Sequence, residues 1–228
     1  MPQPRGPRIP RRRHAIRRIY EVLLAAFGRQ HWWPADSAAE IIVGAILTQN
    51  TAWTNVERAI ARLKQAGLIS FARLRDIHEE ELADCIRPAG TFRVKARRIQ
   101  AFVNWLYTNY GGDLRAMFAT DGSVLRRHLL AVPGIGPETT DAILLYAGGF
   151  PTFVVDAYTQ RIGRRHFLID PDSDYDETKG VFETAMRPDA KVYGEFHALL
   201  VALGKRHCGK VARCDGCPLQ HLAHDAGR

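Results

Sequence analysis

The stretch at residues 129–165 constrains the fold of this chain more than any other part of it. Pro133 and Gly134 end the preceding helix, because proline has no backbone N–H to donate. Gly134 and Gly136 lack a Cβ, so they allow positive φ and a close approach of the backbone to another molecule. Pro137 fits the first turn of the next helix, whose backbone N–H groups can bind phosphate. The stretch predicts two helices joined by a glycine hairpin, which is either a phosphate-binding element or a simple turn.

An aspartate follows a short apolar run in the second half of this stretch. The run at 150–155 (FPTFVV) is too short for a helix, and Asp156 then opens a helix that carries Arg161, Arg164 and Arg165. Aspartate is a common helix N-cap, because its side chain accepts a hydrogen bond from a backbone N–H of the first turn. A carboxylate that caps a helix beside apolar residues can also face a reaction centre, so the sequence leaves both roles open.

The chain of 228 residues is basic, with a net charge of +8 and a pI near 9.6. A basic surface favours a polyanion, and nucleic acid is the usual one, although charge also serves solubility. The composition, 46% hydrophobic and 25% charged, is typical of a soluble globular protein. No apolar run approaches the length of about 18 residues that a membrane span needs, and the start lacks a secretory signal. The Pro- and Arg-rich residues 1–14 are predicted to form a disordered arm that touches phosphates.

Apolar periodicity predicts helices along most of the chain, and the predicted fold class is therefore all-α. The segment AAEIIVGAILTQ is apolar almost all round, so this helix should be central and buried. Ser37 with Glu40, and Thr54 with Glu57, have the spacing of capping boxes. The predicted helices are 15–27, 38–49, 54–67, 71–76, 79–86, 92–107, 124–131, 141–147, 157–167, 177–186 and 192–205.

Tryptophans flank this central helix on both sides. Trp32 and Trp33 precede Pro34 on its N-terminal side. Trp53 lies just after Gln49 on its C-terminal side, so the two ends can meet over one cavity. Two indole faces around a cationic alkylated purine would each gain about 2 kcal/mol or more when desolvated, and a neutral base would gain less. The alternative is that these rings only fill the core.

Three features resemble the helix-hairpin-helix DNA glycosylases of the endonuclease III superfamily: the hairpin VPGIG, the motif VVD that ends at Asp156, and the distance between them. The elements WWP, ILTQNT and GIGPET resemble its 3-methyladenine glycosylase branch, and the resemblance covers residues 30–207. It implies a two-lobed, endonuclease III-like helical fold. The expected parts are a terminal lobe of 15–36 with 138–228, and a central lobe of 37–137 that ends in the helix-hairpin-helix at about 124–148.

The resemblance also assigns roles to individual residues. Glycosylases flip the target nucleotide out of the duplex. Asp156 stands at the place of the catalytic aspartate, and Gln49 at that of the glutamine which fills the gap left by the base. Trp33 with Pro34, and Trp53, stand where aromatic residues sandwich the base. The residues expected to hold the DNA backbone are Gly134, Ile135, Gly136 and Thr139.

Glu138 occupies the position where bifunctional members of the family carry a lysine that attacks the sugar. A glutamate cannot form an imine, so the resemblance implies a monofunctional enzyme in which water displaces the base. Asp156 would then stabilise the oxocarbenium-like sugar, as carboxylates do in glycoside hydrolysis. Glu138 itself is expected to be a first-turn residue that the helix dipole favours.

Three of the four cysteines lie in the tail, where Cys208, Cys214 and Cys217 have the spacing C-x5-C-x2-C. Endonuclease III-type proteins end with four cysteines that hold a [4Fe–4S] cluster, spaced C-x6-C-x2-C-x5-C. Here the first gap is one residue shorter and the fourth position is Ala223, followed by His224. A site of three cysteines and His224 suits iron–sulfur or zinc. The alternative is a relic that holds no metal.

The sequence therefore predicts a monofunctional DNA glycosylase of base excision repair that removes alkylated purines such as 3-methyladenine. Its partner would be double-stranded DNA with a damaged base, and it would act as a monomer, without a membrane. In a prokaryote it would be cytoplasmic and associated with the nucleoid. One alternative is an endonuclease III-like glycosylase for oxidised pyrimidines or mismatched thymine. A second is a non-catalytic DNA-binding protein, against which the aspartate at the family spacing argues.

Overall fold

The structure, a computed structural model, describes residues 9–227, and their regular structure is helical, as predicted. An isolated β-bridge joins Cys208 and Ala212. Among the described residues, no helix has the length and apolar character needed to cross a bilayer. The helices are α1 (Ile9–Phe27), α2 (Ala38–Leu47), α3 (Trp53–Gln65), α4 (Phe71–Asp76), α5 (Glu79–Cys85), α6 (Phe92–Tyr110), α7 (Leu114–Phe118), α8 (Gly122–Leu130), α9 (Pro137–Ala142), α10 (Ala157–Arg165), α11 (Tyr175–Ala185) and α12 (Ala190–Arg206), with a 3-10 turn at Arg87–Ala89 and a π-helical turn at Ile143–Ala147.

The chain folds into two compact units. The terminal unit combines Met1–Trp32 with Pro151–Arg228, and the central unit is Trp33–Phe150. These boundaries differ from the lobes expected from the sequence, which ended at 36 and 137. The second boundary lies later in the chain because α9 and the π-helical turn that continues it both pack on α2, which makes them part of the central unit.

Helix α2 is the centre of the central unit, as its apolar sequence predicts. It contacts α3, α6, α9 and the π-helical turn. Because neighbours surround it, apolar side chains are favoured on nearly every side of the helix. Its buried residues are Glu40, Ile42, Val43, Gly44, Ala45, Ile46 and Leu47.

The terminal unit packs α1 against α11 and α12, and α10 against α12. The apolar run at 150–155 forms neither helix nor strand, and its residues Phe153, Val154 and Val155 are buried. The Phe153 ring stacks on Phe182 with centroids 4.8 Å apart, and Phe196 meets it edge-on at 5.7 Å. These contacts anchor the chain immediately before Asp156 in the core of this unit.

Helix α1 starts earlier than the sequence predicts. Residues 9–14 are helical rather than part of a disordered arm, and residues 1–8 lie outside the described range. Arg12 pairs with Asp170 at 3.9 Å, and Ile16 on the next turn is completely buried. The first turns of the helix therefore have a tertiary partner that the periodicity of the sequence does not reveal.

One of the two predicted capping boxes forms in part. Ser37 accepts a hydrogen bond from the backbone N–H of Glu40 at 3.2 Å, as expected for α2, but the carboxylate of Glu40 accepts from the backbone N–H of Asp36 at 2.9 Å rather than from that of Ser37. The predicted cap at Thr54 is wrong, because α3 already begins at Trp53 and no side chain caps it. Thr54 consequently lies inside the first turn, while Trp53 is placed at the very start of the helix.

Candidate functional site

An aromatic cluster lies in the central unit and contains both tryptophans that the sequence singles out. The rings of Trp33 and Trp53 have centroids 5.2 Å apart and are nearly perpendicular, at 86°. Tyr146 lies on another side of Trp33, at 5.3 Å and 57°. Gly44 of α2 makes room for the indole of Trp33, since a Cβ there would lie 3.2 Å from its Cζ2 atom. The three rings are half-buried.

The rings of the two tryptophans are not parallel, although the resemblance implies that they sandwich a base. A base stacked between two rings needs carbon contacts of about 3.5–4 Å on each side, or about 7–8 Å between the ring planes. Here the edge of one indole meets the face of the other. A base can therefore stack on an outer face of the cluster, while a true sandwich requires one ring to turn. Pro34, expected in the same pocket, is exposed.

Tyr146 is a member of this cluster that the sequence analysis missed. It lies in the π-helical turn Ile143–Ala147, whereas the apolar sequence ILLYA predicts an ordinary α-helix there. A π-helical turn changes the direction of side chains relative to an α-helix and is frequent at functional sites. Apolar periodicity carries no signal for such a turn, so the tyrosine could not be placed beside Trp33 from the sequence.

Gln49 follows the C-terminal end of α2 and is tied to the glycine hairpin. Its Nε2 donates to the carbonyl of Gly134 at 3.0 Å and to Oγ1 of Thr139 at 2.9 Å. Its Oε1 accepts a hydrogen bond from the guanidinium of Arg98. Both ends of the amide are therefore engaged, and in this conformation Gln49 links the loop after α2 to the hairpin. Filling the gap in a duplex would require these bonds to exchange.

Lys95 of α6 supports the same loop from inside the central unit. Its ammonium is completely buried and donates to the carbonyls of Leu47 and Ala89 at 2.8 Å each, and to Oγ1 of Thr51 at 2.5 Å. Burial, together with the nearby charge of Arg98, lowers the pKa of Lys95 to about 8. The lysine thus caps the last turn of α2 and positions the residues on both sides of Gln49. A lysine near the start of a basic helix is usually exposed, so the burial of Lys95 is not predictable from the sequence.

Only one of the two hairpin glycines needs to be glycine for its backbone conformation. Gly134 has a φ of +83°, in the left-handed region, whereas Gly136 has an ordinary φ of −90° and ψ of 179°. The aliphatic part of Arg98 lies over Gly134, where a Cβ would come within 2.4 Å of its Cγ. Gly136 has nothing within 4 Å of that position. Of the two glycines, Gly136 is therefore the one whose backbone another molecule can approach closely.

The other two hairpin residues expected at DNA have buried side chains. Ile135 is 3% exposed and Thr139 is 5% exposed. The backbone N–H of Ile135 already donates to the carbonyl of Val132 at 3.0 Å, so this residue shapes the hairpin from inside. The hydroxyl of Thr139 already accepts from Gln49, so this residue joins the hairpin to the loop after α2.

A buried ion pair fixes the two helices of the hairpin. Arg126 of α8 donates through Nε and Nη2 to the two carboxylate oxygens of Asp141 on α9, at 3.0 and 3.1 Å. Asp141 is completely buried. This forked geometry is the favourable one for arginine and carboxylate. The pair holds the hairpin between two helices of fixed orientation.

Asp156 is the N-cap of α10 in the terminal unit. One carboxylate oxygen accepts from the backbone N–H of Thr159 at 2.7 Å, and the side chain is 13% exposed. Burial by itself raises the pKa of Asp156, but His197 and the hydrogen bonds from Thr159 outweigh it, so that the pKa lies below its ordinary value. The carboxylate is therefore ionised at neutral pH although little water reaches it. The side chain of Asp156 therefore caps the helix and still exposes a small part of its carboxylate.

His197 of α12, in the terminal unit, lies beside Asp156, a contact that the sequence does not predict. Its Nε2 lies 3.7 Å from the other carboxylate oxygen of Asp156, and the imidazole is nearly buried. A histidine in an apolar helix is the only local signal that it leaves in the sequence. The partner is distant along the chain, so packing of α10 on α12 brings the two together.

A family model describing HhH-GPD superfamily base excision DNA repair proteins matches residues 43–188, which is more than half of the chain. The chain belongs to this superfamily. A candidate DNA repair glycosylase of Methanocaldococcus jannaschii is 44% identical over 208 residues, which make up 91% of this chain and 94% of that protein. The expectation of a helix-hairpin-helix DNA glycosylase is thereby confirmed at the level of the superfamily.

Two solved structures place this HhH-GPD protein among known folds. The 3-methyladenine DNA glycosylase MagIII of H. pylori, bound to 1,N6-ethenoadenine, is 26% identical with a TM-score of 0.73, covering 86% of this chain and 97% of that one. A trapped endonuclease III–DNA covalent intermediate is 22% identical with a TM-score of 0.81, covering 94% and 97%. At 22% identity the second likeness shows the fold alone, and it confirms the endonuclease III-like architecture.

Glu138 is the residue that the resemblance assigns to the lysine position of bifunctional enzymes. The structure places it in the first turn of α9, with an exposed side chain. An acidic residue in the first turn is favoured by the partial positive charge at the start of a helix. The side chain at this position is therefore an exposed carboxylate and not an amine.

The tail cysteines of this HhH-GPD protein surround a small cavity in the terminal unit. Cys208, Cys214 and Cys217 line it together with His224, and the guanidinium of Arg165 donates to the sulfur of Cys208 at 3.1 Å. Burial raises the pKa of Cys217, and the neighbouring thiols reinforce this rise. The cavity of about 20 Å³ is about the size of one water site. Across residues 9–227, no three or more His, Cys, Asp or Glu side chains are arranged to hold a metal ion, so the residues as placed do not fit a [4Fe–4S] cluster.

Proposed function

We propose that this HhH-GPD protein is a monofunctional DNA glycosylase that hydrolyses the N-glycosyl bond of alkylated purines, 3-methyladenine among them, in double-stranded DNA. Asp156 is the catalytic residue.

The observation that carries this proposal is the state of Asp156. Its carboxylate is nearly buried, held by the backbone of Thr159, and its pKa lies below the ordinary value. A fixed negative charge with little solvent around it stabilises a developing positive charge far better than one in water. Cleavage of the bond between the sugar and the base develops such a charge on the sugar.

The reaction that follows is a displacement by water. The bond from C1′ of the sugar to the base nitrogen breaks, and the bonding electron pair leaves with the base. Asp156 stabilises the oxocarbenium-like sugar, and a water oxygen then bonds to C1′ and releases its proton to solvent. A base that already carries a positive charge leaves as a neutral molecule, so a site with one ionised carboxylate and no acid suffices.

The absence of a lysine at Glu138 supports the monofunctional part of the proposal. Formation of an imine with the sugar needs an amine at that position, and the side chain there is an exposed carboxylate. The product would therefore be an abasic site with an intact strand.

The aromatic cluster of the central unit supports the choice of substrate. Trp33, Trp53 and Tyr146 supply aromatic faces, which attract a cationic base more strongly than a neutral one. MagIII, which is 26% identical, is a 3-methyladenine glycosylase. The likeness and the cluster favour an alkylated purine over an oxidised pyrimidine, because a pyrimidine lesion is smaller and uncharged.

The hairpin supports double-stranded DNA as the partner. Gly136 leaves its backbone open to close approach, and Pro137 begins the helix that follows it. Contacts of this kind to phosphate position a duplex without reading its sequence. The net charge of +8 adds a favourable field for a polyanion.

The first experiment compares wild-type protein with the Asp156→Asn variant on duplexes that carry single defined lesions. The panel contains 3-methyladenine, 1,N6-ethenoadenine, an oxidised pyrimidine and mismatched thymine. Asn is nearly isosteric and still caps the helix, so we expect DNA binding to remain and excision of alkylated purines to fall by at least about 100-fold, the size of a typical loss of electrostatic stabilisation. Release of the base is measured in single turnover.

Asp174→Asn is the matched control, since Asp174 caps α11 in the same unit through the same kind of bond, to the backbone N–H of Glu177 at 2.8 Å. This variant should excise at the wild-type rate. An Asp156→Asn protein that excises normally would reduce Asp156 to a helix cap and refute the mechanism. Preference for the pyrimidine or mismatch substrates would overturn the alkylated-purine assignment and leave the glycosylase assignment standing.

A further inference from the structure

The two carboxylate oxygens of Asp156 face different groups. One oxygen accepts from the backbone N–H of Thr159 at 2.7 Å, and the other lies 3.7 Å from Nε2 of His197. The first donor belongs to the helix that Asp156 caps, and the second comes from α12, which packs on that helix. The backbone therefore holds one oxygen by a hydrogen bond, and the imidazole lies at ion-pair distance from the other.

His197 is an unusual residue for its place in the fold. It is 7% exposed, and its chain neighbours Phe196 and Ala198 are buried as well. Placing an imidazole in such surroundings costs free energy unless polar groups meet it. The carboxylate of Asp156 is the charged group that the structure puts beside it.

We propose that His197 is a positioning residue that orients the carboxylate of Asp156 toward the sugar and keeps it ionised during base excision. This inference rests on the proposed function, because it takes Asp156 to be the catalytic residue. His197 does not touch the substrate in this proposal. Its Nε2–H holds one carboxylate oxygen while the helix backbone holds the other, so the negative charge is presented in one orientation. Electrostatic stabilisation depends on such preorganisation.

The test replaces His197 in two ways. His197→Phe keeps a ring of similar size and removes the donor, and His197→Gln restores an N–H that can reach the position of Nε2. We expect His197→Phe to slow single-turnover excision by about 10- to 100-fold, the loss typical of one hydrogen bond to a charged group. His197→Gln should recover most of that loss, while affinity for duplex DNA stays the same in both.

Tyr193→Phe is the matched control on the same helix. It removes one partly buried hydrogen bond, which the Tyr193 hydroxyl donates to the carbonyl of Glu183 at 3.2 Å rather than to Asp156. If loosening of α12 were enough to slow the reaction, this variant would be slow as well. We expect it to excise at the wild-type rate.

A second readout measures the charge of Asp156 without any turnover. Duplexes are prepared with a neutral tetrahydrofuran abasic nucleotide or with a cationic pyrrolidine analogue, which mimics the charged sugar of the transition state. The ratio of the two dissociation constants reports how well the carboxylate faces a cation. Wild-type protein should prefer the cationic duplex, His197→Phe should lose about 10-fold or more of this preference, and His197→Gln should keep most of it.

The outcomes separate this inference from the proposed function. Loss of excision in Asp156→Asn, with wild-type rate and wild-type cation preference in His197→Phe, would overturn the role of His197 alone. Equal losses in His197→Phe and His197→Gln would also overturn it, because the donor would then be irrelevant. Full activity of Asp156→Asn would refute the proposed function itself.

Discussion

The buried ammonium of Lys95 makes the stability of this protein depend on pH in a direction that can be worked out. The pKa of Lys95 in the folded protein is about 8, against 10.5 for an unperturbed lysine. Between these pH values the unfolded chain binds one proton more than the folded protein does, so stability increases as the pH rises through this window. The difference between these two pKa values corresponds to a gain of about 3 kcal/mol in the free energy of unfolding. This gain is nearly complete at about pH 10.5.

The Lys95→Met variant isolates this contribution. Methionine fits the apolar surroundings and does not titrate, while the tyrosines, cysteines and other lysines remain the same in both proteins. We expect the free energy of unfolding of wild-type protein to rise relative to the variant by about 3 kcal/mol between pH 7.5 and 10.5. Urea unfolding followed by circular dichroism at several pH values gives both curves. Parallel curves over this range would show that the ammonium of Lys95 is solvated, and would refute the argument from its burial.

Three further predictions concern the aromatic cluster, the lysine position and the tail. Trp53→Ala should slow excision of a cationic lesion by about 30-fold, the equivalent of one desolvated cation–π contact of about 2 kcal/mol, with a smaller effect of Trp53→Phe; equal losses on a neutral lesion of similar size would mean that Trp53 only shapes the cavity. Since we propose that Glu138 stands where bifunctional enzymes carry a lysine, borohydride should trap no covalent complex and abasic strands should stay uncut; a trapped complex would show that another amine serves. Protein purified without oxygen should contain less than one equivalent of a four-iron cluster, measured as iron, sulfide and visible absorption, since the tail offers three thiols; a full complement would require the tail to rearrange around it.

The sequence by itself accounts for the local parts of the site. Gly134 has the positive φ that a hairpin glycine allows, Pro137 starts a helix, and Asp156 caps the next one. Each of these features depends on a few neighbouring residues, and the conformational limits of glycine, proline and aspartate therefore predict them. The buried character of α2 likewise follows from its composition. Local rules were not sufficient at Thr54, where the helix begins one residue before the predicted cap.

The tertiary structure alone decided which side chains meet. Tyr146 lies beside Trp33 because a π-helical turn redirects it, and Trp33 meets Trp53 edge to face rather than in parallel. Lys95 reaches the end of α2, and His197 reaches Asp156, across long separations in sequence. Such contacts depend on how helices pack and on which polar groups burial forces to find partners. Periodicity and motifs depend on neighbouring residues of the same helix. They therefore predict which helix carries a side chain, but not which group that side chain contacts.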